Sequence, residues 1–180
     1  MALIGMGDMT GKRIRILAAI VLVAVLLGTV WWWVRPTEAR ASVYFVRAQG
    51  SSSTVQDVPR TVRGRTAAAL LAAAVRELLA GPTPAERGAG LVTAIPAGTR
   101  LRGLRIADGV VMVDLSGEIE SGGGSSSMLG RLWQIVYTAT QFAQAPRVRI
   151  LVDGQTRESM GGEGVVIDHP LARPASSPLF

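Results

Sequence analysis

From Ile16 to Val34 every residue is apolar or small, and the block closes on Trp31-Trp32-Trp33. About nineteen residues at 1.5 Å rise nearly match a bilayer's hydrocarbon core, which predicts a transmembrane helix over 14–34. Beyond Pro36 the unbroken block gives way to short patterned runs. Ser42 to Arg47 (SVYFVR) has the β-branched and aromatic content of a first strand. Gly50 to Thr54 is small and polar, which predicts a loop, and Val58, Arg60 and Val62 alternate as an irregular strand. From Thr66 the period lengthens: Leu70, Leu71, Ala74, Val75, Leu78 and Leu79 share one helical face, and Gly81-Pro82 stops the helix. Thr83-Pro84-Ala85-Glu86 reads as a capping box opening a short second helix.

Leu101 to Ser116 (LRGLRIADGVVMVDLS) reads as a hairpin, its two apolar runs flanking Asp108-Gly109, a dipeptide suited to a turn with positive φ. Val111, Val113 and Leu115 point to one face, Met112 and Asp114 to the other, as in a sheet covered chiefly on one side. Ser121 to Ser127 is a Gly/Ser stretch, flexible as a connector and ending in a serine suited to cap a helix. Leu129, Leu132, Trp133, Val136 and Thr140 define a face of that helix, which Pro146 ends. Val148, Ile150 and Val152 then alternate with Arg147, Arg149 and Leu151 in another strand, and Val165 to Asp168 reads as an edge strand.

The predicted fold is therefore α+β: an N-terminal transmembrane helix, then a two-layer β-α-β-β-α-β domain with two helices on one face of a small mixed sheet. The expected divisions are a cytoplasmic segment 1–13, a signal anchor 14–34, a linker 35–41, a domain 42–168 and a disordered Pro-rich tail 169–180. Lys12, Arg13 and Arg15 precede the apolar block, so the positive-inside rule puts the N-terminus in the cytoplasm and the domain outside the cell membrane. Ala39-Arg40-Ala41 supplies a competing reading, a signal peptide cut after Ala41; the length and bulky aromatic end of the block favour the uncleaved anchor.

Composition narrows the chemistry. There is no cysteine, which removes disulfides, thiolate metal sites, thiol nucleophiles and lipidated cysteine. The net charge is +6, about +4 of it after the apolar block and carried by arginines without interleaved aromatics, so nucleic acid is not an expected partner. The only histidine, His169, sits in the tail, and no G-x-S-x-G elbow exists. Asp114, Glu118 and Glu120 form the one carboxylate cluster that acid/base catalysis or a divalent ion would need. Asp114 at a strand end suits loop capping instead, and Glu118 and Glu120 adjoin a glycine-rich loop. Gly122-Gly123-Gly124 lacks the Lys-Ser/Thr of a phosphate loop. Trp133 and Tyr137, one helical turn apart, are expected to pack in the core rather than stack sugars, and Gln141 to hydrogen-bond a loop. No enzyme, metal or cofactor is expected. Arg102, Arg105, Arg147 and Arg149, on exposed strand faces, are the candidate interaction residues.

Five segments resemble the GerMN domain in order: Leu78 to Glu86 (LLAGPTPAE), Gly90 to Gly109, Val110 to Ile119 (VVMVDLSGEI), Gln134 to Phe142 and Val148 to Gly154 (VRILVDG). That family is named for a tandem-domain sporulation and germination lipoprotein and also occurs in LpqB-like and other anchored proteins of Gram-positive envelopes. The resemblance implies a non-catalytic extracytoplasmic module, similar to ring-building motifs of secretion assemblies, that contacts an envelope protein or itself. Binding of cell-wall polymer through the arginines is the alternative. The chain departs from the founding member in having one domain and no lipidated cysteine.

Overall fold

The computed structural model describes residues 7–161 and 165–180, with side chains described from residue 14 onward except at 30, 33, 34 and 162–164. The first six residues of the expected cytoplasmic segment, and the side chains of Lys12 and Arg13, thus lie outside the described residues. The chain divides into two compact units, one up to Pro36 and one from Thr37.

The first unit carries helix α1 (Gly7–Val34). Its large aliphatic side chains between Ile14 and Leu27, among them Leu17, Val21, Val25 and Leu26, are more than half exposed. Among the described residues no helix is long and apolar enough to cross a membrane.

The second unit is α+β. Strands β1 (Thr37–Gln49) and β2 (Ser52–Gly64), thirteen residues each, form an antiparallel hairpin turned at Gly50, and β1 also pairs with the short β3 (Leu91–Val92). The expected linker 35–41 is thus largely strand, and the expected loop 50–54 is the turn and first residues of β2. Polar residues hide this hairpin in the sequence because β2 is an edge strand: it tolerates Ser51 to Thr54 on an open surface and Pro59 where no second ladder needs an N–H.

Helices α2 (Ala67–Ala80) and α3 (Pro84–Gly88) follow. Leu71, Ala74, Val75 and Leu78 are buried on α2, Thr66 caps its start and Gly81 (φ +80°) its end. At α3 the expected capping box forms: Thr83 Oγ1 accepts from the Glu86 N–H, and the Glu86 carboxylate from the Thr83 N–H.

The hairpin β4 (Leu101–Ala107) and β5 (Val110–Leu115) pairs antiparallel, β5 runs parallel to β6 (Arg147–Val152), and β10 (Leu171–Ala172) and β7 (Gln155–Thr156) add to β6. Asp108 (φ +51°) and Gly109 (φ +71°) both take the left-handed conformation that a two-residue hairpin turn demands. Gly109→Ala should therefore cost about 1 kcal/mol in a denaturant titration while leaving the fold intact. A small hairpin of β8 (Ser159–Met160) and β9 (Val165–Val166) completes the strands.

The strands form two main sheets, not the single small one expected: β2-β1-β3, and the mixed β10-β6-β5-β4 with β7. Helix α4 (Ser125–Ala139) packs on α2, α2 touches β1, β2 and β4, and α4 touches β1, β2 and β6, so the helices join the two sheets around one core. Val43 and Phe45 of β1, Leu71 and Leu78 of α2, Val111, Val113 and Leu115 of β5, and Ile135 of α4 are all fully buried there. The tail is ordered as well. Leu171 pairs with Val148, Arg173 bonds α4, and Phe180 exchanges two backbone hydrogen bonds with Ser53. Its few apolar residues suffice because the backbone of β6 and β2 supplies open edges for it.

Candidate interaction surface

The inner face of the five-stranded sheet is closed by the core, and its outer face is open. Along β5, Met112 and Asp114 point outward between the buried Val111, Val113 and Leu115, and β6 alternates in phase, with Arg147, Arg149 and Leu151 outward. Register places Arg105, Met112 and Arg149 side by side across three strands, with Gly103, Asp114 and Leu151 in the next row. Gly103 has no side chain and nothing lies within 4 Å of where its Cβ would stand, so a shallow groove of 380 Å³ opens there, floored by Met112 and Leu151 and bordered by Arg105 and Asp114.

All four candidate arginines are therefore brought to one face, and they are not equivalent. Arg102 is committed: its guanidinium lies 3.1 Å from Asp153 and 3.7 Å from Asp114. Arg149 donates to the Asp168 carbonyl at 2.9 Å. Arg105 and Arg147 are exposed, and their side chains make no hydrogen bond or ion pair among the described residues. A planar, permanently charged guanidinium with five free donors is suited to carboxylate or phosphate on a partner. The expected patch thus holds two free arginines, one half-committed and one paired.

The carboxylate cluster resolves into separate structural contacts. Asp114 accepts the Gly154 N–H at 2.7 Å, fixing the β6–β7 turn, where Asp153 and Gly154 both have positive φ. Glu118 pairs with Arg100 at 2.9 Å, and the Ser116 hydroxyl, its own backbone amide and Arg100 hold its pKa below the ordinary carboxylate value. Among the described residues no group of three His, Cys, Asp or Glu could hold a metal ion.

The family model named Germane, described as sporulation and spore germination, matches residues 42–158. The chain belongs to this family. Solved structures agree. The tandem GerMN domains of the sporulation protein GerM from Bacillus subtilis align at 26% identity and TM-score 0.58, over 78% of this chain and 47% of that one, so the chain spans about half of the tandem. The first GerMN domain of the same protein aligns at 21% identity and TM-score 0.57, over 75% of this chain and 98% of that one. A candidate lipoprotein from Clostridium perfringens aligns at 23% identity and TM-score 0.55, over 76% and 88%. No curated protein matches. The GerMN resemblance is thereby borne out.

Within this GerMN-type domain the structure exposes polar residues that periodicity could not single out. Arg131 on α4 is 3% exposed, its Nε bound to the Ala94 carbonyl (3.0 Å), Nη1 to that of Ile119 (2.7 Å), and Nη2 to Gly122 (2.6 Å) and Ser127 Oγ (3.3 Å). Burial pushes its pKa down, yet a guanidinium stays charged at any pH a protein meets. The Gly/Ser stretch is consequently an ordered collar around this cation: a Cβ at Gly123 would stand 2.8 Å from Nη2. Its serines do not cap α4: the helix begins at Ser125, so Ser125, Ser126 and Ser127 form its first turn and Gly124 holds the cap position without a side-chain bond.

Gln134 and Gln141 serve the edge of β1. Gln134 Nε2 donates to the Tyr44 carbonyl and Oε1 accepts the Ala94 N–H; Gln141 accepts the Ser42 N–H at 2.9 Å and donates to its carbonyl at 3.2 Å, while Thr138 Oγ1 accepts the Tyr44 N–H. Side chains of α4, and of Gln141 just past its C-cap, thus satisfy the stretch of β1 that β3 is too short to cover, which protects an otherwise open edge. The partner of Gln141 is a strand, not the expected loop. Trp133 and Tyr137 are both half-buried: Trp133 packs against the core as expected, and Tyr137 lies beside Tyr44.

Proposed function

We propose that this GerMN-type chain is a non-catalytic, membrane-anchored module of a Gram-positive-type envelope, and that the open basic face of its five-stranded sheet binds another envelope protein or a second copy. The single observation that carries the reading is the placement of two uncommitted arginines on this face, Arg105 at the border of the groove over Met112 and Leu151 and Arg147 further along β6 in the Val110 row. Guanidinium groups around a small apolar floor give both steering and contact to an acidic protein surface.

The anchor reading rests on α1. Its exposed aliphatic residues, from Ile14 to Leu27, surround the whole helix rather than one stripe, and a helix apolar on all sides needs an apolar solvent. With the basic residues before it, the N-terminus is cytoplasmic and the second unit extracytoplasmic. The Clostridium relative, described as a candidate lipoprotein, supports an envelope address, and the family's description supports a sporulation-like setting.

The second reading, cell-wall polymer as ligand, is favoured by the same arginines and differs in its salt response. The second unit carrying Arg105→Ser and Arg147→Ser, sedimented with purified wall at low and high salt, separates the two. Retention of the native unit that disappears with salt and with the substitutions favours polymer. Absence of retention, together with weaker crosslinking of the variant to an envelope protein or a second copy, supports protein binding.

A further inference from the structure

The clearest ligand-like arrangement lies away from the basic face, where the tail crosses α4. The Arg173 guanidinium sits 5.2 Å from the ring centre of Tyr44 and 5.1 Å from that of Tyr137, and the two rings are 5.1 Å apart. Trp133 stands edge-on to Tyr137 at 6.4 Å. Arg173 Nε donates to Thr140 Oγ1 at 3.1 Å, and Nη2 donates to the Tyr137 carbonyl. Thr140 is the C-cap of α4, so the cation also meets the negative end of a fifteen-residue helix. Two π faces, a helix C-terminus, a hydroxyl and a carbonyl together recognise the charge, the plane and the donor fork of arginine.

The occupant is tied down at few points. Leu171 and Ala172 pair with the outer edge of β6, and Phe180 pairs with Ser53 in β2. Gly130 leaves room for the Phe180 ring, since a Cβ there would lie 3.3 Å from its Cε2. Between Arg173 and Phe180, residues 174–177 are exposed and proline-flanked, and Leu179 is 68% exposed. The segment therefore docks as a peptide does, by a short strand, one arginine and one aromatic.

We infer that the Tyr44–Tyr137 pocket is an arginine receptor, and that it takes Arg173 of segment 171–180 from a second copy of this chain as well as its own. Exchange forms no new contact type: each copy re-forms the β10–β6 pairing, the Arg173 clamp and the Phe180–Ser53 pairing with its partner's segment. The exchange rests on the proposed anchor for its concentration: copies held at one membrane meet often enough for a second copy's segment to compete with the tethered one. The inference is independent of the basic sheet face, and variants at Arg105 or Arg147 leave it untouched.

The absence of cysteine makes the test clean. Full-length Ser53→Cys and Phe180→Cys chains are mixed, each with one thiol, and oxidised; only exchange between chains brings the two together. The expected result is a disulfide-linked heterodimer, reduced about tenfold when Arg173→Ala is added to the Phe180→Cys chain, because the stacking and charge-assisted bonds are lost. No heterodimer above the Arg173→Ala level overturns the exchange. A fluorescent peptide of residues 170–180 tests the pocket separately. It should bind the full-length Arg173→Ala chain about tenfold more tightly than a peptide with Arg173→Ala does; equal binding, or none, overturns the receptor.

Discussion

Replacing Arg131 with Ala lowers the stability of the second unit by about 4 kcal/mol, read as a fall in the midpoint of urea unfolding at unchanged slope. Three carbonyls, of Ala94, Ile119 and Gly122, lose their donors together. A buried acceptor left unpaired costs about 1–3 kcal/mol, so three of them exceed any single contact on the surface. Arg131→Lys recovers little, because one ammonium cannot span carbonyls that lie on three separate segments. The effect also has a location. Residues 94, 119 and 122 belong to the β3–β4 loop, the turn after β5 and the glycine collar, so the variant should lose amide-exchange protection there before α2 does. Loss of less than about 1 kcal/mol would show that water replaces the guanidinium and that the collar is not built on it.

The second large effect is pH-dependent and sits at Glu86. Arg60 on β2 holds the Glu86 carboxylate bidentately, 2.7 Å to each oxygen, and the Thr83 N–H donates to it as well. These bonds, the Arg60 pair foremost, lower the Glu86 pKa from 4.5 to about 2. A carboxyl whose folded pKa is depressed contributes its full stability above pH 4.5 and loses it as pH falls toward 2. The pair is only partly buried, so solvent screening limits the contribution to about 2 kcal/mol. Thermal midpoints of the native unit should fall more steeply between pH 5 and pH 2 than those of Glu86→Gln, the two curves converging at the acid end. Parallel curves would remove Glu86 as the acid-sensitive tie between β2 and α3.

Both residues illustrate which features are legible in the sequence. Elements whose side chains obey one period are plain: α2 through Leu71, Ala74, Val75 and Leu78, the Asp108-Gly109 hairpin, the Thr83 to Glu86 capping box, and the alternation that turns Arg147 and Arg149 outward. The β1–β2 hairpin is not, because an edge strand's exposed half carries no hydrophobic signal and Pro59 argues against a ladder. Helix α4 misleads for a related reason. It is buried on several sides, so Arg131, Gln134 and Thr138 stand where periodicity expects solvent, and their partners are backbone groups distant in sequence. Arg173 is invisible for want of any pattern: its meaning comes from Tyr44 and Tyr137, 129 and 36 positions away. The candidate patch fares better, since strand alternation puts Arg105, Arg147 and Arg149 on one face, although Arg102, three residues from Arg105, reaches it only through the bulge between Leu101 and Gly103. Which of them are free, Arg105 and Arg147, is decided by Asp153, Asp114 and the Asp168 carbonyl, and only the fold brings those near.

The claim that this open face is the working surface is tested most directly by photocrosslinking in living cells. A benzophenone amino acid replaces Met112 in the groove and, as control, Arg76 on the exposed side of α2. The prediction is one discrete adduct, with a second copy or a single envelope protein, from position 112 and not from 76, and its loss when Arg105 and Arg147 are both changed to Glu. An adduct formed equally from both positions, or one indifferent to those charge reversals, would contradict the account.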